Sequence, residues 1–358
     1  MHSRGADLVV DDVDLAPPRA GEVLVRLVAT GVCHSDLNGL RGTRELPLPM
    51  VLGHEGAGIV EAVGPSVTTV AAGDHVVLAA IARCGKCAKC VAGKPWLCSV
   101  AGANLFTGTL LDGTTRLSLG GRPVYHWFSQ SSFAERAVVP EGAAVKVRKD
   151  VSLEKIATLA CGVSTGLGAV FNAARVEPGA SVVVIGCGGV GVSAIVGADL
   201  AHAGTIVAVD IADDKLEFAR SLGATHAVNA KTADPVQAVR ALTGGGAEHV
   251  FDCVGSPGTL AQVVQMIGVD GHGWLIGAPA PGTTFSFPTD GFLRNKNFHG
   301  VTLGNMRPSI DIPRYVELYA KGRLPLDRLV TRTYPLDAIN DAIGALEQSV
   351  GRGVVVFG

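Results

Sequence analysis

The chain has 358 residues, enough for about two domains that each bury a core, and 47% apolar against 17% charged residues excludes a disordered protein. With 30 Lys+Arg against 32 Asp+Glu and a formal charge of −2, there is no basic field for nucleic acid or an anionic membrane, so the expected partner is a small molecule. Two counts stand out, 47 glycines and eight cysteines; because residues 1–12 lack both a basic and an apolar run, the cysteines are expected to be thiols in a reducing cytoplasm rather than secreted disulfides.

From residue 22 to about 149, short Val-rich runs (23–25, 58–60, 75–78, 137–139) separated by Gly, Pro and Asp predict an all-β domain. Within it stand Gly31-Val32-Cys33-His34-Ser35-Asp36 and Gly53-His54-Glu55-Gly56-Ala57-Gly58. Taken singly, Cys33 and His54 read as buried core residues as easily as ligands. The cluster Cys84, Cys87, Cys90 and Cys98 has the spacing C-x2-C-x2-C-x7-C, which suits a closed tetrahedral zinc site of structural type. A pair of disulfides would call for a secreted context, and a ferredoxin-type cluster for x2-x2-x3 followed by Pro. Lys86, Lys89 and Lys94 flank the cluster without aromatic interleaving, as on a solvated face rather than a nucleic-acid module.

From about residue 152 the pattern alternates: helix over 153–174, strand 181–185, helix 189–203, strand 205–210 and helix 213–222, which predicts a parallel sheet with crossover helices. The uncharged stretch 181–198 contains five glycines and reads as a buried strand and tight turn rather than a membrane span. Its turn, Gly186-Cys187-Gly188-Gly189-Val190-Gly191, is a G-x-G-x-x-G between strand and helix, the shape that cradles a pyrophosphate. Asp210 closes the next strand, nineteen residues beyond Gly191, where a carboxylate accepts from ribose hydroxyls and repels a 2′-phosphate, so NAD is expected over NADP. Helix N-capping is the plainer role for Asp210. Lys215 is a further candidate at the ribose or an ordinary surface lysine. Two helical stretches (310–321 and 335–348) and a strand (353–357) complete the chain.

Together with Leu159-Ala160-Cys161-Gly162-Val163-Ser164-Thr165-Gly166, the Cys33 and His54 stretches resemble the defining segments of the zinc-dependent medium-chain alcohol dehydrogenases, in the right order and over essentially the whole chain. The resemblance implies an α/β protein: a GroES-like β-rich catalytic domain (1–162 and 303–358, with the structural zinc lobe at 84–98) interrupted by a doubly wound Rossmann domain (163–302), with the active site in the cleft. It implies two zincs per subunit. The catalytic one would be held by Cys33, His54 and Cys161 with one open position, where a Lewis acid lowers the alcohol's pKa before hydride passes to NAD. Asp36 would orient His54, Glu55 would sit behind the metal, and Ser35 would carry the alcohol proton away. Thr165 and Val190 would touch the nicotinamide, and His34 and Arg352 the pyrophosphate.

The segments 111–116 and 124–128 resemble the long loop of the dimeric animal-type and glutathione-dependent formaldehyde dehydrogenase branches, so a homodimer is expected. Several positions depart from that pattern. Asn38 replaces the histidine that ends the proton relay. Arg41-Gly42-Thr43-Arg44 and Gly102 replace the acidic residue and arginine of the glutathione branch. Ala80 replaces a pocket-closing aromatic, which leaves Trp127, with Phe128 nearby, to line a wider pocket suited to medium-chain, branched or aryl primary alcohols and their aldehydes. The alternatives are a dehydrogenase of a thiol adduct of formaldehyde and a non-enzymatic nucleotide-binding member; the latter would be expected to lose ligands that are all present here. The first β-element is expected to be missing or differently paired.

Overall fold

The computed structural model describes every residue except 44 and 288 and the run 290–292, so Arg44 lies outside the described residues. The chain divides into two compact units, Met1–Cys161 with Arg307–Gly358, and Gly162–Met306.

The first unit is built on a seven-stranded sheet. Its order is Val330–Pro335, Arg352–Val356, Glu22–Gly31, Gly56–Val63, His75–Leu78 and Ala144–Val147, with Arg136–Pro140 also paired to Glu22–Gly31. In Glu22–Gly31 the side chains of Val23, Val25, Leu27 and Ala29 are buried while Leu24, Arg26 and Val28 are half-exposed, the period of two that a strand with one core face requires. Val60, Val76, Leu78, Ala137 and Val139 fill the same core. The antiparallel register Val354↔Gly31 brings the C-terminal strand beside Cys33, with Val32 N–H donating to Gly353 O at 3.1 Å. A small second sheet runs Asp14–Leu15, Leu117–Leu119, Arg122–His126 and Met50–Val51. The first β-element is therefore Asp14–Leu15, paired antiparallel with Leu117–Leu119.

The second unit is a six-stranded all-parallel sheet in the order His226–Asn229, Thr205–Asp210, Ser181–Ile185, Ala247–Asp252, Ile267–Leu275 and Asn297–Gly300. The order reverses at Ser181–Ile185, the switch point where doubly wound sheets bind ligands at the carboxyl ends of their strands. Val183, Ile185, Val207, Val209 and Val250 form one buried face with Val239 and Val263. The 181–198 stretch is a strand, a tight turn and the helix Gly189–Leu200. Among the described residues no single helix is long and apolar enough to cross a membrane.

One expectation is corrected. The helix expected over 153–174 is four pieces: Leu153–Ile156, a 3-10 turn Ala157–Ala160, the helix Gly162–Gly168 and a π turn Ala169–Ala174. The break falls at Cys161, whose φ of −142° and ψ of −79° leave the helical region. Apolar composition continues through the break, so periodicity could not reveal it.

Candidate metal centres and nucleotide loop

Cys33 precedes the helix His34–Arg41, and its N–H donates to Asp36 Oδ2 at 3.1 Å, a reciprocal bond that starts the helix and fixes the Asp36 carboxylate. At the other end Gly42 takes a left-handed φ of 71° and stops it. His54 and Glu55 lie just before the strand Gly56–Val63, and Cys161 sits at the helix break. Ligand atoms of Cys33, His54, Glu55 and Cys161 all lie within 4.8 Å of one another, and all four residues are buried. Tetrahedral zinc with bonds of about 2.3 Å to sulfur separates two thiolates by roughly 3.8 Å, which fits this spacing.

The polar atoms around the cluster support a cation there. His54 Nδ1 donates to Asp36 Oδ1 at 2.9 Å, whereas His54 Nε2, fully buried, has no hydrogen-bond partner. An orphaned buried nitrogen is costly unless a metal takes its lone pair. Glu55 Oε2 accepts from the Arg352 guanidinium, so one carboxylate oxygen of the four-residue cluster is already engaged. A hydrogen bond from Cys161 and the charge of His54 draw the Cys33 thiol well below its ordinary range in spite of burial, and Cys161 beside that anion is pushed well up. Burial presses His54 down, but the Asp36 and Cys33 charges outweigh it and hold the ring well above its usual value. Glu55 is raised by burial, with Arg352 opposing.

The second cluster is Cys84, Cys87, Cys90 and Cys98, with the four sulfurs within 4.8 Å of one another. Cys84 N–H points to Cys98 Sγ at 3.3 Å and Cys87 N–H to Cys84 Sγ at 3.4 Å, the backbone support that thiolates on a metal receive. All eight cysteines are free of disulfides.

In the second unit Gly186 has φ 87°, and a Cβ on Gly191 would lie 1.8 Å from Gly186 O, so the turn closes only with glycine at Gly191. Gly188 and Gly189 begin the helix Gly189–Leu200, and nothing lies within 4 Å of a Cβ placed on Gly188, which leaves an open face at the helix N-terminus for phosphate. Val190 is half-exposed in that first turn. Asp210 Oδ2 accepts from Cys187 N–H at 2.7 Å, and Oδ1 accepts from Ile211 and Ala212 N–H at 2.7 and 3.0 Å. The carboxylate thus clamps the glycine-rich turn to the next strand. Lys215 is half-buried in the following helix, and Thr165 is buried with its Oγ1 unpartnered.

Of the other expected residues, His34 is exposed, and Ser35 and Asn38 are half-buried in the first helix. Arg352 is buried against Glu55 rather than solvated. Ala80 is buried, its N–H donating to Ala160 O at 3.0 Å, beside Cys161. Trp127 is 4% exposed and packs in a core with Leu37, Met50, Leu52 and Phe133. Its Nε1–H donates to Asp36 Oδ1 at 2.9 Å. Phe128 stacks on His54, centroids 4.4 Å apart and planes 18° from parallel. Sequence reasoning missed both contacts, because nothing in a linear string signals which distant turn covers an imidazole.

Family profiles match at two places: the alcohol dehydrogenase GroES-like domain over residues 19–149 and the zinc-binding dehydrogenase domain over residues 189–321. The chain is 38% identical to S-(hydroxymethyl)glutathione dehydrogenase of Paracoccus denitrificans, covering 99% of this chain and 97% of that one. It is 37% identical to alcohol dehydrogenase 1 of Pisum sativum, covering 94% and 90%. Among solved structures, benzyl alcohol dehydrogenase of Acinetobacter calcoaceticus superposes with a TM-score of 0.95 at 42% identity, covering 100% of this chain and 98% of that one. An alcohol dehydrogenase zinc-binding domain protein of Burkholderia ambifaria gives 0.96, also at 42% identity, over 100% and 97%. Identity of this order along nearly the whole length accounts for both thiol clusters and the glycine-rich turn at once: the chain belongs to the zinc-dependent medium-chain alcohol dehydrogenase family, oxidoreductases that use NAD.

Proposed function

We propose that this protein interconverts aryl, branched or medium-chain primary alcohols and their aldehydes with NAD. The observation that carries the reading is the convergence of Cys33, His54 and Cys161 around the orphaned Nε2 of a buried, Asp36-bound imidazole. Cys33, His54 and Cys161 would hold a zinc that would supply Lewis acidity toward the substrate oxygen, and Cys84, Cys87, Cys90 and Cys98 would hold a second that orders their lobe. Ser35, at the start of the first helix, takes the alcohol proton. Asn38 cannot pass it on, because an amide does not exchange a proton near neutral pH, so the proton leaves Ser35 to water or to another base. Thr165 and Val190 meet the nicotinamide, His34 and Arg352 the pyrophosphate, and Asp210 with Lys215 the adenosine ribose.

The small side chain of Ala80 beside Cys161 favours a bulky carbinol over ethanol, as does the 42% identity to a benzyl alcohol dehydrogenase. A thiol-adduct formaldehyde dehydrogenase is the second reading, favoured by the 38% identity to S-(hydroxymethyl)glutathione dehydrogenase. Against it, the loop in which that branch carries an acid begins here with Arg41, held by Glu347 at 2.7 and 3.0 Å, and Gly102 offers no cation. The long loop over 111–116 supports a homodimer, and eight free thiols support a cytoplasmic setting.

Initial rates with benzyl alcohol, branched alcohols, ethanol, and formaldehyde with and without glutathione, each with NAD and NADP, test the reading alongside zinc analysis. We expect two zincs per chain and the highest kcat/KM on an aryl or branched alcohol with NAD. Ethanol as the best substrate would sink the pocket argument, and formaldehyde turnover only with thiol would establish the second reading.

A further inference from the structure

The Asp36 carboxylate is fully buried and takes four N–H donors: Cys33 N at 3.1 Å, Gly53 N at 3.2 Å, His54 Nδ1 at 2.9 Å and Trp127 Nε1 at 2.9 Å. Three of them belong to the ligand-bearing segments themselves. The fourth comes from 91 residues away, on a turn in which Phe128, Ser129 and Ser131 hold left-handed φ values of 53°, 51° and 58°. Such backbone costs of order 1 kcal/mol per non-glycine residue and persists only where the surroundings over-determine it.

Here they do. Trp127 N–H donates to Ser131 Oγ at 3.2 Å, Ser131 Oγ to Val51 O at 3.0 Å and Ser129 Oγ to Thr109 O at 3.0 Å. Gln130 ties the same turn to the main sheet, accepting from Gly56 N–H at 2.8 Å and donating to Leu78 O at 2.9 Å. The outcome is an indole N–H held on Asp36 Oδ1, the oxygen that also receives His54 Nδ1–H, while Phe128 lies flat on the same imidazole. Phenylalanine would keep an aromatic ring in this core but has no N–H to give Asp36, and a buried indole N–H is placed where it finds a partner. That oxygen also accepts from Gly53 N–H at 3.2 Å, and an oxygen shared by three donors, of which the indole alone lies outside the ligand-bearing segments, cannot swing, so the Nδ1–H bond, and with it the direction of the Nε2 lone pair, has one geometry.

We propose that Trp127 is a positioning residue for the catalytic metal, acting through Asp36 to aim His54 Nε2. This rests on the zinc reading of Cys33, His54 and Cys161, but neither readout below needs turnover, so failure of the substrate assignment would leave it standing. Trp127→Phe keeps an aromatic ring and deletes the N–H. Loss of catalytic zinc to a chromogenic chelator is expected about tenfold faster than from the unmodified protein, the scale of lost support behind a metal ligand, while the Cys84-cluster zinc leaves at an unchanged rate. In the cobalt-substituted catalytic site the visible bands should shift, which a packing role alone would not cause. Unchanged release and bands would by themselves overturn the proposal. Should the variant not fold, the unmodified protein with 15N-labelled tryptophan decides: of the three indole N–H resonances, one should move when the catalytic zinc alone is removed, and three unmoved resonances would refute the coupling.

Discussion

Arg352 and Glu55, 297 residues apart in sequence, form an ion pair whose two side chains are 6% and 0% exposed. The pair exists because the last strand lies against Gly31, and because Gly31 has no side chain: a Cβ there would lie 2.0 Å from Glu55 Oε2. Removing one partner of a buried pair strands the other charge, at a cost of about 3–5 kcal/mol. Arg352→Met should therefore lower the urea midpoint sharply, and the double variant with Glu55→Gln should recover part of the loss. A loss below about 1 kcal/mol in the single variant would show that water reaches Glu55.

His126 is buried, its Nε2 accepting from Arg116 N–H at 3.2 Å, and burial together with the Arg116 charge lowers it to about 3. The unfolded chain binds a proton near pH 6.5 and the folded one does not until about pH 3. Stability contributed by this site is thus complete above 6.5 and falls through that window as pH drops, by about 1.4 kcal/mol per unit. Between pH 6.5 and 4.5 the folded state should lose about 2–3 kcal/mol that His126→Asn does not lose, read as the difference between the two proteins' urea midpoints. Parallel pH dependences would place a water beside the ring.

The lobe over 84–98 exposes most of its residues, including Lys86, Lys89, Lys94, Val91 and Leu97, and buries only Pro95 and Cys98. With so little core, its order depends on the metal. Cys90→Ser should leave one zinc per chain and speed tryptic cleavage after Lys86 and Lys89 at least tenfold, while the fragments remain associated through the main sheet. Cleavage at the unmodified rate would mean that the lobe folds without its ion.

How far the sequence exposes this site depends on how local each part is. The Cys84 cluster is legible because four ligands fall within fifteen residues, and the glycine-rich turn because strand, turn and helix are contiguous. Cys33, His54 and Cys161 come from three distant segments, each of which reads singly as core, and only their resemblance to known family stretches joins them. The rest is invisible in the string. Nothing marks Phe128, Ser129 and Ser131 as left-handed, since none is glycine, and the helix break at Cys161 lies inside an unbroken apolar run. Likewise the buried pair Arg116–Glu22, at 2.5 Å, joins positions 94 apart.

Asn38 stands one helical turn after Ser35, where it can accept or donate a hydrogen bond but not shuttle a proton. Asn38→His should add an ionisation near pH 6.5 to the profile of kcat/KM and raise the rate above it, where the neutral ring can accept the proton. An unchanged profile would mean that the proton never passes this side chain.

Asp210 is usually considered for its ribose contact, but here its carboxylate also accepts three backbone N–H groups, including Cys187 in the glycine-rich turn. Hydrogen bonds to a charged acceptor contribute about 1.5–3 kcal/mol each, so removing the carboxylate should disorganise the turn as well as the ribose site. Asp210→Ala is expected to weaken NAD binding at least tenfold. It should also fail to create tight NADP binding, because relief of repulsion at the 2′-phosphate comes with loss of the turn that holds the pyrophosphate. Titration of each reduced nucleotide by its fluorescence on binding measures both effects. A variant that binds NADP as tightly as the unmodified protein binds NAD would show that the turn keeps its shape through Gly186 and Gly191 alone, and that Asp210 serves only to discriminate.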